Sequence, residues 1–134
     1  MWKYYSKIGY VISQDHYTDG LKDGPEYVYY PDSSIAEVIE WKSDEKNGEW
    51  SKYSISGKPS LKALYYKNQL HGAYIEYFKD GNKSIEGAYK KGLKDGNWVY
   101  YSTNGSQEKM EVYEYGDLIK TLTKENGVVK TIEH

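Results

Sequence analysis

The chain has 134 residues, enough for one domain, with 18 Lys against 20 acidic residues and a net charge of −2. That balance argues against a polyelectrolyte role. The absence of Cys excludes disulfides, thiolate metal sites and thiol nucleophiles, and no apolar run approaches the ~18–20 residues of a membrane span.

The composition is unusual in one respect: 17 Tyr and 4 Trp stand against a single Phe, in a chain only 38% hydrophobic. Tyr and Trp bury large apolar area and keep a polar tip, which suits a thin, half-solvated structure. These aromatics recur with a period of 24 residues. Gly24, Gly48, Gly72 and Gly96 form one column, and Trp2, Trp50, Tyr74 and Trp98 a second. Tyr5, Tyr29, Tyr53, Tyr77 and Tyr101 form a third, and Tyr17, Trp41, Tyr65, Tyr89 and Tyr113 a fourth. A fixed period in the ~20–50 range marks an array built by stacking one small motif.

In chain order, the first unit (1–23) opens with Trp2 already in register, and the array is expected to begin inside a repeat. MWKYYSKIGYVISQDH has no apolar stretch of signal-peptide length, so a cytoplasmic location is expected. The unit closes with GLKDG at 20–24, read as a Gly-bounded connection that recurs at 92–96.

The second unit (24–47) departs from the pattern. Tyr27-Val28-Tyr29-Tyr30 matches Trp98-Val99-Tyr100-Tyr101 after a one-residue slip, which implies an extra residue near Pro25. Its turn, Pro31-Asp32-Ser33-Ser34, lacks Gly. Residues 35–46 can be read as a helix, because Ser34 and Glu37 form a capping-box pair and Ile35, Val38, Ile39 and Lys42 have helical spacing. The strand reading is preferred, since it keeps Trp41 in its column.

Units 48–71, 72–95 and 96–119 are regular. In each, about seven residues rich in Tyr, Trp, Val and Ile precede a turn, followed by a second strand. Asp80-Gly81 and Asn104-Gly105 supply the positive φ that hairpin turns need. In the last segment, 120–134, Leu122 replaces Trp and Asn126-Gly127 comes two residues early. It reads as a terminal hairpin whose Lys120, Lys124 and Lys130 protect a sheet edge. The fold expected is all-β: a single-layer, twisted, antiparallel sheet of stacked hairpins, roughly eleven strands at ~4.8 Å each.

No catalytic constellation emerges. His71 fills the slot held by Asn47 and Asp95 in neighbouring units and reads as a turn residue, His16 lies in a repeat strand, and His134 is the last residue. There is no phosphate-binding loop and no dinucleotide fingerprint. Without Arg there is no guanidinium fork for phosphate or guanine. The reading is a binding protein, with no enzyme activity, cofactor, metal or nucleic-acid ligand.

Charge is segmental: residues 15–49 carry a balance of −7 and residues 51–94 a balance of +6. In a linear array such blocks stay apart in space, and an acidic segment can steer a basic partner.

The unit G-x-W-x-x-Y-Y-x-x-N-G, followed by Y-x-x-G-x-x-x-G, resembles the bacterial variant of the MORN repeat. Gly96, Trp98, Tyr101, Asn104, Gly105, Tyr113 and Gly116 carry the likeness, with Gly72, Tyr74, Tyr77, Gly81, Tyr89 and Gly92 one unit earlier. It covers about residues 2–119 and is weakest at 24–47. The resemblance implies an elongated hairpin array with a protein-binding role. Many bacterial proteins of this kind are linked to neutralising toxins, as antitoxins or immunity proteins, and eukaryotic ones to membranes and scaffolding.

The leading expectation is therefore an immunity protein or antitoxin that binds a cognate toxin, such as a basic nuclease. Asp19, Asp23, Glu37, Glu40, Asp44 and Glu45 would supply the acidic patch, and Trp41 and Trp50 the aromatic anchors. The alternative is a peripheral scaffold touching anionic lipid through the Lys block of 51–94.

Overall fold

The computed structural model describes residues 1–7 and 9–134. It contains strands and no helix among those residues. Four long pairs follow the repeat. The odd members are β7 (Glu45–Tyr53), β9 (Gln69–Tyr77), β11 (Leu93–Tyr101) and β13 (Asp117–Glu125), each of 9 residues. The even members are β6 (Ile35–Lys42), β8 (Pro59–Tyr66), β10 (Lys83–Lys90) and β12 (Gln107–Glu114), each of 8 residues. Before them come β1 (Trp2–Tyr5), β2 (Val11–Asp15), β3 (Tyr17–Thr18), β4 (Leu21–Lys22) and β5 (Gly24–Tyr29), and β14 (Val128–Glu133) follows.

A 12-stranded antiparallel sheet runs β1-β2-β5-β6-β7-β8-β9-β10-β11-β12-β13-β14, and β3-β4 form a separate two-stranded hairpin. Eleven spacings of ~4.8 Å make the sheet about 53 Å across. A compact chain of 15.6 kDa would expose about 7,300 Å²; this one exposes 8664 Å², as a single extended layer must.

Two kinds of turn alternate along the two sides of the sheet. On one side are two-residue turns with positive φ at both positions: Ser43-Asp44, Lys67-Asn68, Lys91-Gly92 and Tyr115-Gly116. This geometry matches the twist of paired strands. On the other side are three-residue loops whose third residue alone has positive φ, namely Ser33, Gly57, Gly81 and Gly105. The N–H of that residue donates back across the turn, as in Gly81 to the Phe78 carbonyl at 3.0 Å. Asp80 and Asn104 are therefore not positive-φ residues; only their glycines are. In the second unit Ser33 manages the left-handed angle because Asp32 Oδ1 accepts from the Ser34 N–H at 2.9 Å.

The structure corrects several sequence expectations. GLKDG is not a five-residue connection: the turn is Lys91-Gly92, and Leu93 through Gly96 already belong to β11. The leading glycines Gly24, Gly48 and Gly72 sit inside strands at φ 107°, 115° and 111°, where the ladder bulges. The one-residue slip at Pro25 does not exist. Gly24–Tyr29 superposes in register on Gly48–Tyr53, so Glu26, not Tyr27, occupies the Trp column. Residues 35–42 are strand, as preferred from the sequence, and the helical spacing there is incidental, because Val38 and Ile39 fall on opposite faces. The sheet has one strand more than expected, and the first unit is the irregular one. His16 and Asp23 interrupt its two strands, which splits off the β3-β4 hairpin.

Alternation and register assign Trp41, Trp50, Tyr65, Tyr74, Tyr89, Trp98 and Tyr113 to one face. The tightest core lies there: Trp98 is 2% exposed, Ala63 4% and Leu61 7%. Tyr27, Val38, Ile75, Val99, Met110 and Leu122 lie on the opposite face.

Candidate interaction surface

The aromatic face carries two groups of ring contacts, a cluster around Trp98 and a pair at Trp50. Trp98 meets Tyr89 at 5.1 Å, Tyr74 at 5.4 Å and Tyr113 at 6.5 Å, and Trp50 meets Tyr65 at 5.6 Å. Charged side chains interleave with the rings. Trp41 Nε1 donates to Glu26 Oε1 at 2.9 Å and Trp50 Nε1 to Glu37 Oε1 at 2.8 Å. Lys22 lies 4.6 Å from the Trp41 ring centre, Lys94 4.6 Å from that of Trp98, and Lys109 4.3 Å from that of Tyr100. The result is amphipathic, with ring bodies packed and polar tips and charges held at fixed positions. Burial, foremost, pushes the phenols of Tyr65, Tyr74, Tyr89, Tyr100 and Tyr113 up, Tyr74 to about 12. Of these, Tyr100 and Tyr113 both donate to Glu111 Oε1, at 2.6 and 3.3 Å.

The structure divides the acidic and aromatic residues singled out in the sequence among three places. Glu37, Trp41 and Trp50 come together on the aromatic face. Asp19, Asp23, Asp44 and Glu45 line the side of the two-residue turns. Glu40 lies on the opposite face, packed against Gly48. Two of the acids stitch the fold: Asp44 Oδ1 accepts from the Lys22 N–H at 2.6 Å, and Asp23 Oδ1 from the Ser43 N–H at 3.3 Å.

The same stitch recurs along the array. Asn68 Oδ1 accepts from Lys46 N–H at 2.8 Å, and His71 Nδ1 accepts from Lys91 N–H at 3.1 Å. The expected turn position of His71 is corrected: it lies within β9, and its side chain braces the Lys91-Gly92 turn of the next unit. Each of four two-residue turns also donates to the strand 22 residues earlier, as Gly92 N–H does to the Leu70 carbonyl at 2.9 Å.

The Lys block of 51–94 does not form one patch. Lys52 and Lys94 lie on the aromatic face and Lys62 on the opposite one. Lys67 and Lys91 sit at two-residue turns, Lys58 and Lys79 in the longer loops.

Two residues that sequence reasoning passed over matter most. Asp15 is 3% exposed, and its Oδ1 has no hydrogen-bond partner among the described residues. Glu26 lies beside it; burial first, and the Asp15 carboxyl next, raise its pKa from 4.5. Lys22 Nζ bridges the pair, 3.8 Å from Asp15 Oδ2 and 3.5 Å from Glu26 Oε2. The available signal was an acid in an aromatic column, which the assumed slip at Pro25 concealed.

On the opposite face a shallow cleft of about 420 Å³ opens among Met110, Leu122, Lys124 and Val129. Among the described residues no group of three or more His, Cys, Asp or Glu could hold a metal ion, and no helix is long and apolar enough to cross a membrane. Compared with protein-family models and with curated proteins, the chain matches no family model and no curated protein.

Proposed function

We propose that this protein is a binding array whose partner is another protein, and that it neutralises a cognate toxin as an immunity protein or antitoxin. One observation carries the binding role. The aromatic face, about 53 Å long, carries Trp, Tyr, Glu and Lys side by side, and among the described residues no second layer covers it. Packed aromatics ringed by charges are the composition of protein-recognition surfaces. The toxin as partner rests on the resemblance of the repeat to bacterial MORN-type proteins.

The dispersal of Lys52, Lys58, Lys62, Lys67, Lys79 and Lys94 over two faces and two sides favours a protein partner over a flat anionic membrane. The test is co-expression with the product of the adjacent gene, followed by co-purification and a growth assay. Growth rescue with a stable complex supports the reading. A neighbour that is neither toxic nor bound refutes it.

A further inference from the structure

The two ends of the aromatic ladder are built differently. Around Trp98 the ladder is closed: three tyrosines surround the indole and Gly87 makes room beneath it. At the N-terminal end the equivalent slots are filled by other chemistry. Asp15 stands where the repeat has Ala63 and Gly87, and Glu26 where it has Trp50 and Trp98. The rings there lie open, with Trp2 62% exposed, Tyr4 47% and Tyr17 36%. Trp2 is directly opposite Asp15 in the β1-β2 ladder, so both are on the aromatic face, and its ring meets Tyr17 edge-on at 6.3 Å.

Asp15 is buried with one carboxylate oxygen unpaired, a costly state for an acceptor. Lys22 shows what such a site accepts, because its ammonium lies between the two carboxylates and 4.6 Å from the Trp41 ring centre. We infer that Trp2, Tyr4, Tyr17 and Trp41, around Asp15 and Glu26, form the docking site for a basic side chain of the partner protein, a guanidinium or ammonium that pairs with the free carboxylate oxygen and stacks on the rings. This deepens the proposed protein-binding role and rests on it.

The groups facing the pair are Tyr4 from β1, Tyr17 from β3, Lys22 from β4 and Trp41 from β6. His16 belongs to the other face, where Nδ1 lies 2.6 Å from the Pro25 carbonyl and the ring is beside Tyr27. Burial first, and the Asp15 carboxyl next, favour the protonated form of Glu26. An arriving cation displaces that proton to solvent, so binding strengthens as pH rises from acid toward neutral.

The test uses the indole N–H signals of the four tryptophans in the ¹⁵N-labelled full chain. The probe is a short neutral peptide containing one arginine, and the control is the same peptide with citrulline. The arginine peptide should shift Trp2 and Trp41 and leave Trp98 in place, with citrulline inert. Affinity should fall at least tenfold in Trp2→Ala and in Asp15→Asn. The Trp98 signal reports whether each variant is folded, and Trp2→Ala, at an exposed edge, decides the matter if Asp15→Asn does not fold. Equal shifts with citrulline, equal movement of Trp98, or unchanged binding by Trp2→Ala overturns the site.

A second arm separates this site from the broader reading. With the toxin bound, hydrogen exchange should slow at β1–β3. Protection confined to β11–β13 overturns the site and leaves the toxin-binding role standing. Absence of any complex refutes that role, and the peptide titration still judges the site.

Discussion

Gly87→Ala tests the packing that holds the regular units together. Gly87 has no positive φ, so the glycine is required for space alone. A Cβ built there collides with Trp98 Cδ2 and Cε2 and comes within 2.7 Å of Cε3, contacts that real Cβ atoms essentially never make. Trp98 cannot yield outward without loosening its contacts to Tyr74 and Tyr89 and its Nε1 bond to the Ala88 carbonyl at 3.1 Å.

Overpacking costs ~1–3 kcal/mol, and loosened aromatic pairs add ~0.5–1.5 kcal/mol each. The reduced entropy of the unfolded chain returns only ~0.4–1 kcal/mol. The net loss is about 2–4 kcal/mol. At ~2.1 cal/mol/K per residue over 134 residues, the melting temperature should fall by about 7–14 °C. Urea denaturation followed by tryptophan fluorescence measures the loss. Trp98→Leu, which lacks the fused ring, is the companion variant. Combined with Gly87→Ala, it should cost about 1–3 kcal/mol less than the two changes added separately. Strict additivity, or a Gly87→Ala protein as stable as the parent, refutes the argument.

Other substitutions rank by the same geometry. Gly72→Ala should cost more than Gly96→Ala, because φ is 111° with Leu64 Cδ1 3.0 Å away at Gly72, against 74° and open space at Gly96; urea midpoints give the order. His71→Ala should lose about 1 kcal/mol and speed exchange of the Lys91 amide, whereas His71→Asn should keep both, since Asn47 fills the equivalent slot.

For Glu26, raised by burial and by Asp15, the neutral form is favoured on folding. Its stabilisation is full below pH 4.5 and is lost as pH rises through the elevated folded value. Glu26→Gln should therefore flatten that part of the stability profile, as urea midpoints across pH would read. Tyr74, raised to about 12 chiefly by burial, contributes stability present below 10 and lost as pH climbs toward 12; phenolate absorbance should show it titrating late.

The resemblance between units was legible because a repeat writes each structural requirement several times. Columns of Gly, Trp and Tyr survive variation in any one unit, and they correctly gave strands, antiparallel hairpins and one long sheet, though not the separate β3-β4 hairpin. Turn assignment failed where residue type carries little information. Lys67-Asn68 and Tyr115-Gly116 make the same two-residue turn as Ser43-Asp44, because strand twist and the stitch to the preceding unit impose positive φ on whatever is present. Asp80-Gly81 has a strong turn sequence, yet its two residues adopt φ of opposite sign. The slip at Pro25 was an error of pattern-matching. Tyr27-Val28-Tyr29-Tyr30 looks like Trp98-Val99-Tyr100-Tyr101, and only the β5-β6 register shows that Glu26 holds the Trp position.

The sequence by itself determined the period, the all-β character and the segregation of charge along the chain, because these depend on local propensity and on repetition. The tertiary structure decided which face each residue occupies. That cannot be read from composition, since a bulge or an interrupted strand resets the alternation of faces. It scattered the lysines of 51–94, turned Asp23 and Asp44 into stitches between units, and buried Asp15 beside Glu26 under rings that the rest of the array keeps closed.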